Sequence, residues 1–254
     1  MAVNLVPGRV TRLVLDRPER RNALSLAVMR ELIGHLDRVS VDASVRVVVV
    51  EGTGPAFSAG HDIAEMIEHP DQAFYEELFS TCVEMMRRIR ALPQPVLAKV
   101  HGVATAAGCQ LVAACDLAVA AEDARFATPG VRIGLFCSTP MVPVARAVGR
   151  KRALEMLLTG EMIDARTAAE WGLVNRVVPA DQLDDEVRAL AEQIAESSAS
   201  VLALGKRAFY EQEHLAEADA YALTCPVMVD NARREAAQEG MRAFLAKRAP
   251  TWPD

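Results

Sequence analysis

The chain has no long apolar run, no excess of positive charge and no paired cysteine motif, and each absence removes a class of protein. Its most hydrophobic stretches, around Val47 to Val50 and Leu111 to Ala121, are too short, or too interrupted by Asp116, to cross a bilayer. Met1 to Gly8 lacks the basic-then-apolar pattern of a secretory signal, which points to a cytoplasmic protein. With 34 acidic and 28 basic side chains the formal charge is -6, which argues against nucleic acid as the main partner. Cys82, Cys109, Cys115, Cys137 and Cys225 are an odd set without a C-x-x-C pair, so neither a disulfide framework nor a metal site is expected. No P-loop, G-x-S-x-G or H-E-x-x-H motif is present. Gly52-Thr53-Gly54 follows an apolar strand, but Pro55 intervenes and Phe57 stands at the third fingerprint position, so a dinucleotide site is a poor match.

What is there is an α/β pattern long enough, at 254 residues, to bury a substantial core. Arg9 to Leu15 alternates as a strand, Asn22 to Val41 has helical periodicity, and Val45 to Glu51 is a fully apolar strand. Helical pattern returns over Asp71 to Ala91 and Ala106 to Cys115, with buried strands at Pro95 to Val100 and Asp116 to Ala121. After about Thr139 the pattern is helical: Met141 to Val148, Lys151 to Leu158, Ala165 to Trp171, Asp181 to Ser197, Val201 to Glu213 and Leu215 to Phe244. Only Val174 to Val178 interrupts it. No Pro/Ser linker separates the halves, so residues 1–195 are expected to form the core and residues 196–254 an arm that packs on it or on a neighbouring subunit.

Two bends stand out, Ala56 to Ile63 and His101 to Gln110, each rich in Gly and Ala and each leading into helical pattern. Such bends leave backbone N–H groups uncovered, and a helix start adds partial positive charge. Two of them facing each other can hold one oxygen anion.

These bends, with Arg17-Pro18-Glu19-Arg20-Arg21-Asn22-Ala23-Leu24, Phe126 to Gly134, and Thr159-Gly160 followed by Ala165 to Val178, resemble the enoyl-CoA hydratase/isomerase (crotonase) superfamily in order and spacing over nearly the whole chain. The resemblance implies a crotonase-like spiral of repeated β-β-α units with a C-terminal helical arm, assembled as a homotrimer or a dimer of trimers. It assigns two oxyanion-hole N–H groups to His61 and Ala107, which in the family hold the thioester oxygen of an acyl-CoA or enoyl-CoA. The need is chemical, since hydration or double-bond shift puts negative charge on that oxygen. Arg21, Ala23, Leu24, Asp62, Ile63 and Lys247 correspond to CoA-lining positions. No cofactor is implied beyond the CoA thioester itself.

The chain departs from the hydratases at both positions where they place glutamate, which are here Gln110 and Gly130. One carboxylate must activate the water while the other delivers a proton to the α carbon; an amide cannot take that proton and glycine offers no side chain. Ser138 replaces the aspartate of dienoyl-CoA isomerases. One branch of the family has this same glutamate-free pattern. Cys137 and Ser138 are candidate replacements as nucleophile, although a buried cysteine is more commonly a small apolar residue. His61, Asp62, Glu65 and His69 could supply an acid or base, with Asp62 and Glu65 also explained as first-turn carboxylates of a helix. Gln110→Glu combined with Gly130→Glu is the restoration that the sequence suggests. The competing functions are a non-catalytic acyl-CoA binding or scaffold protein and a different CoA-thioester reaction.

Overall fold

The computed structural model describes residues 1–253. β1 (Val3–Val6) and β2 (Val10–Leu15) lead to α1 (Leu26–Ser40), then β3 (Val47–Gly52), β4 (Ala56–Ser58), α2 (Ile63–Glu68) and α3 (Gln72–Ala91). The next turn is β5 (Val96–Val100), β6 (Val103–Thr105) and α4 (Ala107–Ala114), and a third opens with β7 (Leu117–Ala121) and β8 (Arg125–Ala127). There follow α5 (Met141–Val148), α6 (Arg150–Thr159), β9 (Ile163–Asp164), α7 (Ala165–Trp171), β10 (Arg176–Val178) and α8 (Leu183–Ala195). The chain ends in α9 (Ala199–Gln212), α10 (Glu217–Arg233) and α11 (Glu235–Leu245).

Each turn gives its long strand to one sheet and its short strand to another. The six-stranded sheet has the order β1-β2-β3-β5-β7-β10, and the four-stranded sheet β4-β6-β8-β9. All pairs of the large sheet are parallel except β1 with β2, and all of the small sheet except β8 with β9. The unbroken apolar run of β3 follows from burial on both faces. Val48 and Val50 join the main core with α1 and α3, while Val47 and Val49 join a second core with Leu97, Val119 and the α8 residues Leu183, Val187 and Leu190. A strand covered on one side would have alternated.

Helices and long strands fall where the sequence places them, apart from β1, which was not expected, and three further differences. The three-residue strands of the small sheet were not expected, because so short a segment carries no periodicity. The first helix begins at Leu26, not at Asn22: Arg21 and Asn22 have φ of 50° and 52°, and Ser25 caps α1 by accepting from the Val28 amide at 3.3 Å. Leu215 to Phe244 is two helices, because Arg234 is extended at φ -70° and ψ 151° between α10 and α11. Among the described residues no helix is long and apolar enough to cross a membrane.

The C-terminal tail is fastened back on α11. Both Glu239 carboxylate oxygens accept from Arg248, the Thr251 amide donates to Oε1 at 2.8 Å, and the Trp252 indole donates to the Glu196 carbonyl at 2.6 Å. The Arg248 guanidinium and the Thr251 amide hold the Glu239 carboxyl down at about 2, from 4.5. A lowered acid stabilises the attached tail above its free value and stops doing so as pH falls through its bound value. The Trp252 emission is therefore expected to change as the pH is lowered from 4.5 through about 2, and Glu239→Gln to show the detached signal already at neutral pH.

Candidate functional site

Asn22 locks the first loop in place. It is 2% exposed; its Nδ2 donates to the Thr53 carbonyl at 2.9 Å and the Ala56 carbonyl at 2.8 Å, and its Oδ1 accepts from the Arg17 amide at 2.9 Å. Ser58 Oγ donates to the Asn22 carbonyl at 2.9 Å. The loop so fixed reaches the first bend, where the Leu24 amide donates to the Gly60 carbonyl at 2.7 Å. The Arg17 to Leu24 motif is thus a staple that sets the height of that bend.

The second bend is forced into place by Ala106, whose φ of 50° and ψ of -118° are rarely adopted by a residue with a side chain. Its amide donates to the Ala127 carbonyl at 2.9 Å, which leaves Ala107 as the first residue of α4. The bends then meet. A Cβ on Gly60 would stand 3.1 Å from the Ala107 nitrogen, and one on Gly108 would stand 2.2 Å from the Ser58 carbonyl oxygen, so only glycine permits this approach. Among the described residues neither the His61 nor the Ala107 amide donates to an acceptor of the chain.

Both residues line a cavity of about 330 Å³, closed on its other sides by Ile63 of α2, Phe79 of α3 and the Pro129–Pro140 loop. Among the described residues no carboxylate lines it. A larger groove of about 930 Å³ between α3 and α9 is remote from both bends and lined by Arg87, Arg90, Arg207 and Arg234. Size alone is a poor guide here, because that groove brings together neither amide.

The His61 ring stands edge-on to Phe79 with centroids 5.5 Å apart, and its Nδ1 lies 3.2 Å from the Leu24 carbonyl, so Nδ1 carries the proton. Nε2 is buried without a partner. Burial lowers the imidazole below its usual 6.5, only partly opposed by the Leu24 carbonyl, so the ring is neutral at pH 7. Asp62 caps α2 by accepting from the Ala64 amide at 3.2 Å, and Glu65 reaches across to accept from the Leu26 amide at 3.1 Å. Both carboxylates serve helix starts, as their first-turn reading expects. His69 packs against Phe74 at a centroid distance of 5.1 Å and lines no part of the cavity.

Gln110 lies one helical turn beyond Ala106, 3% exposed, with its Oε1 3.8 Å from the Cys82 thiol; it is not in the cavity wall. Gly130 is in the wall and buried, with no room for a side chain. A Cβ there would fall 1.9 Å from the Leu135 carbonyl oxygen and 2.9 Å from Cys137 Sγ. The suggested restoration by glutamate is therefore blocked by the backbone itself. Ser138 lines the cavity exposed, its hydroxyl donating weakly to the Phe136 carbonyl at 3.4 Å.

Cys137 also lines the cavity, and burial pushes its thiol up, partly offset by the Gly130 amide. Cys109 is pushed to about 12 by burial. Neither is a thiolate at neutral pH. In peptide mapping after brief alkylation at pH 7, the exposed Cys225 is expected to be labelled first and Cys137 to stay unmodified. Fast labelling of Cys137 that acyl-CoA blocks would reinstate it as a nucleophile.

Of the positions matched to CoA lining, Ile63 is in the cavity wall, Asp62 adjoins it as the α2 cap, and Ala23 and Leu24 are buried, so they offer backbone only. Arg21 and Lys247 are exposed, in left-handed conformation, and outside the wall. Sequence reasoning missed Phe79 and Arg132, since an aromatic in an amphipathic helix and an arginine in a loop carry no signal of their own.

A spiral of β-β-α turns carrying two facing backbone bends over a cavity defines a crotonase fold, and the chain belongs to the enoyl-CoA hydratase/isomerase family, whose model matches residues 7–254. Among known proteins it is similar to enoyl-CoA hydratase domain-containing protein 3, mitochondrial, of Rattus norvegicus, 48% identical over 96% of this chain and 81% of that protein. A solved structure of an enoyl-CoA hydratase from Mycobacterium smegmatis superposes with a TM-score of 0.98 at 47% identity, covering 100% of both chains. The human enoyl-CoA hydratase domain-containing protein 3 superposes with a TM-score of 0.97 at 45% identity, over 99% of this chain and 100% of that one.

Proposed function

We propose that the chain binds an acyl-CoA and polarises its thioester carbonyl between the His61 and Ala107 amides, without the two-glutamate machinery of hydration. The observation that carries this is a pair of amides, unpartnered among the described residues, facing a cavity in whose wall none of those residues places a carboxylate. Main-chain donors aimed at the position of an oxyanion stabilise developing negative charge without titrating. Enoyl-CoA chemistry needs a proton carrier as well, and Gln110 and Gly130 supply none. Arg21, the Ala23–Leu24 backbone, Asp62, Ile63 and Lys247 are the proposed CoA contacts. A different thioester reaction fits the same site, as does acyl-CoA binding alone.

The test is isotope-edited infrared spectroscopy of hexanoyl-CoA labelled with carbon-13 at the thioester carbonyl. Its stretch is expected to fall in frequency on binding. Binding with an unchanged stretch would put the carbonyl outside the hole and overturn the reading. Crotonyl-CoA assayed alongside by mass spectrometry is expected to gain no water above the protein-free control.

The arm has a place in the same proposal. α10 has no buried residue and exposes Tyr221, Met228 and Val229, while α11 exposes Phe244 and Leu245. Such a surface supports division of the chain near residue 195 and assembly as a homotrimer or dimer of trimers. Native mass spectrometry is expected to give three or six times 27.5 kDa. A cytoplasmic location belongs to the proposal too; the rat relative is named a mitochondrial protein, and imaging of the full chain decides between them.

A further inference from the structure

We propose that Arg132 makes this cavity selective for an acyl chain that ends in a carboxylate; the inference rests on the acyl-CoA reading and concerns the far end of the same ligand. Among the described residues Arg132 is the one side chain of the wall that is charged at neutral pH. The imidazole of His61 and the thiol of Cys137 are both neutral there, and the remaining polar groups are hydroxyls.

The guanidinium is positioned before any ligand arrives. Its Nε donates to the Thr159 carbonyl at 3.0 Å, at the C-terminal end of α6, where helix carbonyls lack partners and favour a cation. The stem packs over Gly160, where a Cβ would lie 3.1 Å from Arg132 Cγ and 3.2 Å from Nε. With Nε engaged, the two terminal nitrogens are left, the pair that grips a carboxylate with two parallel hydrogen bonds. Among the described residues none accepts from them, and the neighbouring Glu161 forms no ion pair with Arg132.

The rest of the wall sharpens the choice. Ile63, Phe79, Leu135 and Phe136 are apolar and offer a carboxylate no partner. A cation held in that wall reverses the preference. The volume of about 330 Å³ equals roughly ten water-sized groups of ~30 Å³ each, enough for a medium-length acyl chain with its terminal carboxylate.

The experiment compares adipyl-CoA with hexanoyl-CoA, which share chain length and all CoA phosphates, by calorimetric titration of the full chain and of Arg132→Gln. In the parent, adipyl-CoA is expected to bind roughly tenfold more tightly, the scale of one charge-assisted pair. Arg132→Gln is expected to bring the ratio of the two affinities close to one, and Arg132→Lys to keep part of it. Equal binding of both ligands by the parent overturns the inference while leaving the acyl-CoA reading intact. Equal weakening of both by Arg132→Gln also overturns it, by assigning the guanidinium to a CoA phosphate. Binding of neither ligand overturns the inference together with the reading it rests on.

Discussion

Gly130→Glu is expected to destabilise the protein by about 3 kcal/mol or more and to restore no hydration, alone or with Gln110→Glu. The Leu135 carbonyl occupies the space into which any side chain at 130 must grow, 1.9 Å from the Cβ position, and the Leu135 amide donates back to the Gly130 carbonyl at 2.9 Å. Relief of that clash requires the loop to open and Cys137 to leave its place in the core. A new carboxylate would also enter an apolar wall. Thermal unfolding measures the effect: at about 2–4 °C per kcal/mol for a chain of this size, the midpoint should drop by roughly 6 °C or more. Gly130→Ala, which adds only the Cβ, should lose stability as well. Normal stability of the glutamate variant with water added to crotonyl-CoA would show that the loop yields and that side chains alone limit the chemistry.

Lys206→Met is expected to cost about 3–5 kcal/mol, the scale of breaking a buried ion pair. Lys206, on α9, donates to the carbonyls of Ile89 and Gln94, each at 3.0 Å, and pairs with Asp116 at 2.7 Å. Asp116 also accepts from the Val96 amide at 2.6 Å and from the Tyr210 hydroxyl at 2.6 Å. One ammonium thus joins the arm to the end of α3 and to the β5 and β7 strands. Methionine keeps the stem but strands a carboxylate and two carbonyls. Adding Asp116→Asn should recover part of the loss, because the uncompensated charge is then removed. A stability unchanged by Lys206→Met in denaturant titration would show that the pair contributes nothing net.

The sequence displayed the long strands and helices because their patterns extend over several turns or pleats. It hid the small sheet, whose strands are two or three residues long, and the left-handed Arg21 and Asn22, which lie inside an apparently helical pattern. Facing bends were suggested by Gly60 and Gly108, yet the backbone outlier that aims the second bend is Ala106, a residue with no such signature. The missing glutamates could be read directly as Gln110 and Gly130. That the space at Gly130 is filled could not, since it depends on a carbonyl five residues away. Asp62 and Glu65 show the reverse case: first-turn chemistry sufficed to explain them, although the partner of Glu65 is on another helix.

A wall without carboxylates also has a signature in solution. A two-carboxylate enzyme gives a bell-shaped pH profile, with limbs that report its acid and its base. Besides Arg132, the titratable groups of the wall among the described residues are an imidazole lowered from 6.5 and a thiol raised from 9.0, so the wall's own protonation is constant across the interval between those values. Affinity for a neutral acyl-CoA should run level there, and any slope would belong to the ligand or to groups outside the wall.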